Sequence, residues 1–180
     1  MNRFTGLLLP LLLLMPAAGL VAQDTPRTAA EAYLAAMQAA DWERASELTH
    51  PAALADLKTV LATLAASDTA GEMLEPLFGV HSAVEFDRLT AVQVYTRLLQ
   101  RVGAREQVAD AMRQMEMRIL GEIPEEPDLV HVVYRVETRL EEGSMSRVQV
   151  LTLRREGQRW LALLNGDVRG LAEVLSEMPR

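Results

Sequence analysis

The spacing of apolar residues changes from a helical period to a period of two near Met112. Before that point, apolar side chains recur three and four residues apart, as in residues 29–40 and 92–102, which places them on one face of an α-helix. Beyond it, as in residues 115–119, apolar and polar residues alternate, which suits a half-buried β-strand. Because the two patterns occupy separate parts of the chain, the sequence predicts an α+β domain.

Capping signals divide the first part of the chain into helices. Thr28 and Glu31 fit a capping box, so we expect the first helix to begin there. Asp41 is placed to cap a short second helix, because a carboxylate accepts hydrogen bonds from the free N–H groups of a first turn. Pro51 suits the first turn of a third helix, where its missing N–H costs nothing, and leucines line one face of that helix down to Ser67.

The pattern weakens between residues 68 and 89. Two glycines and a proline interrupt this segment, and its apolar residues fit either a short strand or an irregular lid. Helical spacing returns at residues 92–102, and Gly103 is a natural stop. Residues 104–112 are predicted to remain helical for two further turns.

Four strands with short connections are predicted for the second part of the chain. A polar turn at residues 124–128 and a tight hairpin turn at Glu156-Gly157 reverse its direction. Strands joined in this way form an antiparallel meander, and residues 171–178 predict a short C-terminal helix. The alternating segments are residues 115–119, 130–138, 148–152 and 160–164.

Residues 1–22 have the pattern of a secretory signal peptide. Arg3 precedes a leucine-rich stretch, and small residues lead to Ala22 before the chain turns polar. An uncleaved membrane anchor is the rival interpretation, since residues 4–22 are just long enough to cross a bilayer. Two prolines interrupt that run, so we favour cleavage. We expect a single periplasmic or secreted domain at residues 23–180, with no stable membrane insertion.

Composition restricts partners and chemistry. The chain has 18 Lys and Arg against 25 Asp and Glu, a net charge of −7, which argues against nucleic acid as a partner. It has no cysteine, so thiol chemistry and thiolate metal sites are excluded. His50, His81 and His131 are far apart and include no i, i+4 pair, so we predict no metal site and no cofactor.

Two segments carry a family resemblance. Residues 28–48 form an alanine-rich helical pattern that passes through Ala-Asp-Trp into a second helix, and residues 129–164 form a meander that ends near Gln-Arg-Trp. Together they resemble the nuclear transport factor 2-like (SnoaL-like) superfamily over about two-thirds of the mature chain. The resemblance implies a cone whose helices cover the concave face of a bent sheet and often leave a pocket. It implies a binding or dimerising module, or an isomerase, dehydratase or epoxide hydrolase.

Large side chains are expected to organise the interior of this cone, which they either fill or line as a mostly apolar pocket. The sequence has no Gly-rich phosphate loop, no HExxH pair and no nucleophile elbow around a serine. Those absences agree with either outcome, since neither needs a base or a metal. The sequence therefore favours a non-catalytic exported domain for binding or scaffolding. Its partner would be a small apolar ligand or a protein, with a homodimer possible. The expected lining residues are Tyr33, Met37, Tyr95, Tyr134 and Trp160.

The alternative is a small pocket enzyme that uses a carboxylate with a Tyr or His donor. Asp41, Asp87 and His131 are the acid–base candidates. Each also has a structural interpretation: the two aspartates can cap helices, and His131 faces away from Tyr134 on its predicted strand. An ionisable group buried beside a tyrosine would favour the enzyme, whereas an apolar or filled cavity would favour binding.

Overall fold

The structure is a computed structural model that describes residues 24–68, 72–140 and 143–164. The predicted signal peptide and the predicted final helix lie outside the described residues. No helix within those ranges is long and apolar enough to cross a membrane.

Helices occupy the first part of the described chain, as the spacing predicted. Asp41 caps the second one by accepting a hydrogen bond from the Arg44 N–H at 3.1 Å, and Pro51 opens the third. Both predictions are confirmed. The helices are α1 (Pro26–Gln38), α2 (Trp42–Glu47), α3 (Pro51–Ser67), α4 (Leu74–Phe78), α5 (Ala83–Arg88), α6 (Ala91–Gly103) and α7 (Glu106–Gln114).

The first helix begins earlier than predicted. Its capping box joins Thr25 to Thr28, not Thr28 to Glu31: the Thr28 N–H donates to Thr25 Oγ1 at 3.2 Å and the Thr25 N–H donates to Thr28 Oγ1 at 3.0 Å. Pro26 explains the shift, because proline is well suited to a first helical position, where its N–H would have no partner.

Residues 68–89 contain α4 and α5, so the expectation of a strand or lid was wrong. Gly79, at φ 63°, ends α4 in the left-handed region, and Ser82 caps α5 by accepting from the Glu85 N–H at 3.3 Å. The edge-to-face rings of Phe78 and Phe86 hold the two helices together, with centroids 5.1 Å apart. Helices of five and six residues are too short to display a period.

The stop at Gly103 is confirmed, and the continuation beyond it is a separate helix. Arg105 has extended backbone angles, so the helical hydrogen-bond pattern ends before it and α7 begins after it. A Cβ atom at Gly103 would overlap the ring of Trp42, so only glycine lets α6 approach α2 this closely.

The strands form one antiparallel sheet in the order β1-β2-β3-β4, which confirms the meander. The polar turn predicted at residues 124–128 is shorter: β1 continues through Pro124, and the chain reverses only at Pro127-Asp128. Proline is tolerated there because β1 is an edge strand. The strands are β1 (Met115–Glu126), β2 (Leu129–Leu140), β3 (Gly143–Glu156) and β4 (Arg159–Ala162).

Two groups of buried apolar side chains form the core. The helix cluster lies among α3 to α6, and the sheet cluster lies between α1, α2 and one face of the sheet, which we call the inner face. The helix cluster includes Leu54, Leu57, Leu61, Leu74, Phe78, Phe86, Val94, Tyr95 and Leu98. The sheet cluster includes Ala30, Tyr33, Leu34, Val130, Val132, Tyr134, Leu151, Leu153 and Trp160.

Candidate binding cavity

A cavity of about 230 Å³ lies between α1, α6, α7 and the inner face of the sheet. Four of the five side chains proposed from the sequence line it: Tyr33 and Met37 from α1, Tyr95 from α6 and Tyr134 from β2. Helical spacing on α1 and strand alternation on β2 turn these residues toward the same space.

Trp160 is buried in the sheet cluster but does not line the cavity. Its ring lies under the Arg155 guanidinium, 5.4 Å from the ring centroid. The reason is register, because β4 pairs with residues 153–156 of β3, whereas the cavity borders residues 145–151 of β3. Trp160 therefore belongs to the packed end of the sheet.

Two buried phenols from the two core clusters meet at the cavity. The hydroxyls of Tyr33 and Tyr95 lie 3.1 Å apart, and the Tyr95 side chain is fully buried. Thr49 lies beside these tyrosines, and its hydroxyl donates to the Ala45 carbonyl at 2.8 Å. The group thus satisfies its own hydrogen bonds and needs no polar ligand atom.

Burial keeps these phenols neutral. Loss of solvation raises the pKa of Tyr33 well above its ordinary value of 10.0, and the neighbouring Tyr95 raises it further. Burial also raises the pKa of Tyr95, although its hydrogen bonds with Tyr33 and Thr49 oppose the change. At neutral pH both side chains are hydrogen-bonding alcohols and poor proton acceptors.

The third tyrosine is held by the sheet itself. The Tyr134 hydroxyl donates to Gln149 Oε1 at 2.7 Å, and the two residues are direct partners across β2 and β3. Such a cross-strand pair fixes the ring on the inner face.

Thioethers form much of the remaining wall. Of the six methionines that the structure describes, five line the cavity. On β1, Met115 and Met117 alternate with exposed Glu116 and Arg118, which turns both thioethers inward. Methionine is flexible and polarisable, so such a wall adapts to apolar ligands of different shapes. The five are Met37, Met112, Met115, Met117 and Met145.

Sequence reasoning missed the contribution of β3. Met145, Arg147 and Gln149 line the cavity together with buried Leu151. These four positions are two residues apart, so alternation alone places them on one face. Three of them are polar or exposed, so the sequence did not indicate that this face of β3 borders a cavity.

The acid–base candidates lie elsewhere. Asp41 is the exposed cap of α2, and Asp87 is exposed on α5. Asp87 does not cap α6, because Thr90 Oγ1 accepts from the Gln93 N–H at 3.1 Å instead. None of the described cavity-lining residues is a carboxylate or an imidazole.

The histidines serve local contacts. His131 pairs with Glu125 and lies 3.0 Å from Thr152 Oγ1, on the sheet face opposite Tyr134. His50 caps α3 by accepting from the Ala52 N–H at 3.2 Å. Within residues 24–68, 72–140 and 143–164, no three His, Asp or Glu side chains are grouped so that they could hold a metal ion.

No protein-family model and no curated protein matches the chain. Among solved structures, the chain is similar to a nuclear transport factor 2-like protein of unknown function from Shewanella oneidensis MR-1. The two are 9% identical, with a TM-score of 0.40, over 76% of this chain and 90% of that one. Neither finding assigns a ligand or an activity.

Proposed function

We propose that the chain is an exported, non-catalytic domain of nuclear transport factor 2-like type that binds a small apolar ligand in the cavity. The observation that carries this proposal is the lining: thioethers and aliphatic groups surround phenols that are neutral and already hydrogen-bonded. Transfer of apolar surface from water into such a space is favourable without any polar contact.

The size of the cavity limits the ligand. At about 230 Å³ it is smaller than the pockets of roughly 300 to 1,000 Å³ that hold drug-sized molecules. If each non-hydrogen atom occupies about the 30 Å³ of a liquid water molecule, the cavity holds about eight of them. The proposed ligand is therefore a short aliphatic compound.

The lining favours binding over the alternative enzyme. Proton abstraction from a ketone needs a base, and opening an epoxide needs a nucleophile or an activated water. The described lining offers three tyrosines, one arginine, one glutamine and one threonine, and burial raises the pKa of Tyr33 and Tyr95. None of these is a suitable base at neutral pH.

Methionine-methyl NMR tests the proposal with straight-chain alcohols from butanol to decanol. We expect shifts of the cavity methyls, with affinity rising to about hexanol or heptanol and no further. Met73, which packs against the helix cluster, serves as an internal reference that should not shift. An absence of shifts with every alcohol would refute the proposal.

A matched pair of variants locates the site. Val136→Phe fills the cavity from β2, whereas Val133→Phe makes the same change on the outer face of that strand. We expect Val136→Phe to abolish binding and Val133→Phe to retain it, with circular dichroism showing that both fold. Equal binding by the two variants would place the ligand elsewhere.

A further inference from the structure

We propose that Arg147 makes the cavity selective for short aliphatic carboxylates, with the carboxylate at the mouth and the chain among the thioethers. This inference rests on the proposed function and names the ligand class. It follows from the arrangement of polar and apolar groups along the inner face.

The inner face carries three cross-strand rows at the cavity. The middle row places Met117, Val136 and Arg147 side by side on β1, β2 and β3. A guanidinium therefore adjoins the apolar wall directly. The outermost row is Met115, Thr138 and Met145. The innermost row is Ile119, Tyr134 and Gln149, of which Tyr134 and Gln149 line the cavity.

Burial increases along β3, from the outermost row toward the innermost. On β3, Met145 is 43% exposed and Arg147 is exposed, Gln149 is half-buried, and Leu151 is 3% exposed. Residues 145 and 151 are separated by about 20 Å of strand. The cavity thus has an open, cationic end and a closed, apolar end. An amphipathic ligand matches that polarity.

The charge of Arg147 is available to a ligand. Among the residues that the structure describes, no carboxylate forms an ion pair with it. It is also the only cationic side chain in the described lining. Since the protein carries a net charge of −7, its general field repels anions, and a local cation at the mouth is needed to admit one.

Carboxylate is the anion that fits best. A planar guanidinium donates two parallel hydrogen bonds to a carboxylate, which fixes the head while leaving the chain free to enter. Larger anionic heads would place more of the ligand outside a cavity of about 230 Å³. Hexanoate, with eight non-hydrogen atoms, matches the capacity of about eight argued above.

Three probes with one chain length test the inference: hexanoate, hexanol and hexylammonium, titrated by calorimetry at low salt. We expect hexanoate to bind more tightly than hexanol on the order of fivefold, the upper range for a solvent-exposed ion pair, and hexylammonium to bind worst. The preference for hexanoate should shrink at high salt, because the pair is screened.

Arg147→Gln should reduce hexanoate affinity to that of hexanol and leave hexanol binding unchanged. Arg118→Gln is the matched control, since Arg118 is exposed on β1 and its strand position alternates with Met117. This control should bind all three probes as the unmodified protein does. Arg147→Lys should keep part of the preference, because the charge remains without the planar fork.

The outcomes separate the two proposals. Equal binding of hexanoate and hexanol, with no effect of Arg147→Gln, would overturn the role of Arg147 and leave the cavity as an apolar site. Loss of hexanol binding in Arg147→Gln would also overturn it, since Arg147 would then act on the cavity and not on the carboxylate. Failure of all three probes, hexanol included, would refute the proposed function itself.

Discussion

The two core clusters differ in what they leave open. The helix cluster is built from leucines and two phenylalanines of fixed shape, which interlock among four helices. In the sheet cluster, tyrosines and methionines lie between α1 and a sheet that contains a β-bulge. A cavity remains between this helix and the sheet. A rigid part of the fold thus adjoins a part with space for a ligand.

The contact between the clusters includes a buried polar pair as well as Leu99, which packs against both. Tyr95 belongs to the helix cluster, yet its hydroxyl reaches Tyr33 of the sheet cluster. The well-packed helices therefore position one wall of the cavity. This difference teaches that leucines and phenylalanines can fill the space among helices, whereas tyrosines and methionines leave a cavity between a helix and a sheet.

The largest effect is expected from truncation in the helix cluster. Leu54 is 2% exposed, so Leu54→Ala should lower the free energy of unfolding by about 2 to 5 kcal/mol. Met117→Ala, in the cavity wall, should cost less than about 2 kcal/mol, because Met117 is half-buried beside space that already exists. Urea denaturation measures both values, and equal losses would contradict the contrast between the clusters.

A smaller effect is expected where the helices approach most closely. Gly103→Ala should cost about 1 to 3 kcal/mol, because the added methyl meets the Trp42 ring. Gly121→Ala on β1 is the matched control, since a Cβ there meets no atom within 4 Å. Thermal unfolding compares the two variants. A destabilised control with an unaffected Gly103→Ala would show that the sheet, not the helices, is tightly packed.

Sequence periodicity predicted the parts in which several turns or alternations repeat. It placed Tyr33, Met37, Tyr95 and Tyr134 on inward faces, because each lies in a long helix or strand. It did not predict α4 and α5, which are shorter than two helical turns. A helical period can be recognised in a sequence only when the helix spans several turns.

Register and polarity explain the differences between the expected and the described lining. No pattern in the sequence shows that β4 pairs with the far end of β3, so Trp160 was placed in the cavity instead of beside it. Arg147 and Gln149 resembled solvent-facing residues, because a polar residue on a strand is ordinarily assigned to the outside. Their role depends on where the helices end, which is a tertiary property.

The tyrosine pair predicts a loss of stability in alkali. Folding raises the pKa of Tyr33 above the value of about 10 that it has in the unfolded chain. The neutral Tyr33 side chain therefore contributes fully to the free energy of unfolding below about pH 10. That contribution is lost as the pH rises from there through the pKa of the folded state. Tyr33→Phe should cost about 1 kcal/mol at pH 7 and should flatten the decline above pH 10. Melting temperatures measured from about pH 8 to about pH 11.5, on either side of that value, test this. Parallel curves for variant and unmodified protein would contradict the role of the pair.

The smallest effect is expected at Tyr134. Tyr134→Phe removes the hydrogen bond to Gln149, and because Gln149 is half-buried and can bind water instead, the loss should be about 1 kcal/mol or less. The cavity keeps its aromatic wall, so binding of straight-chain alcohols should persist. We expect no turnover of enolisable ketones or epoxides by either protein, because the described lining has no suitable base. Activity that Tyr134→Phe abolished would replace the binding function with the enzymatic alternative, since a phenol that only supports a wall cannot contribute to chemistry.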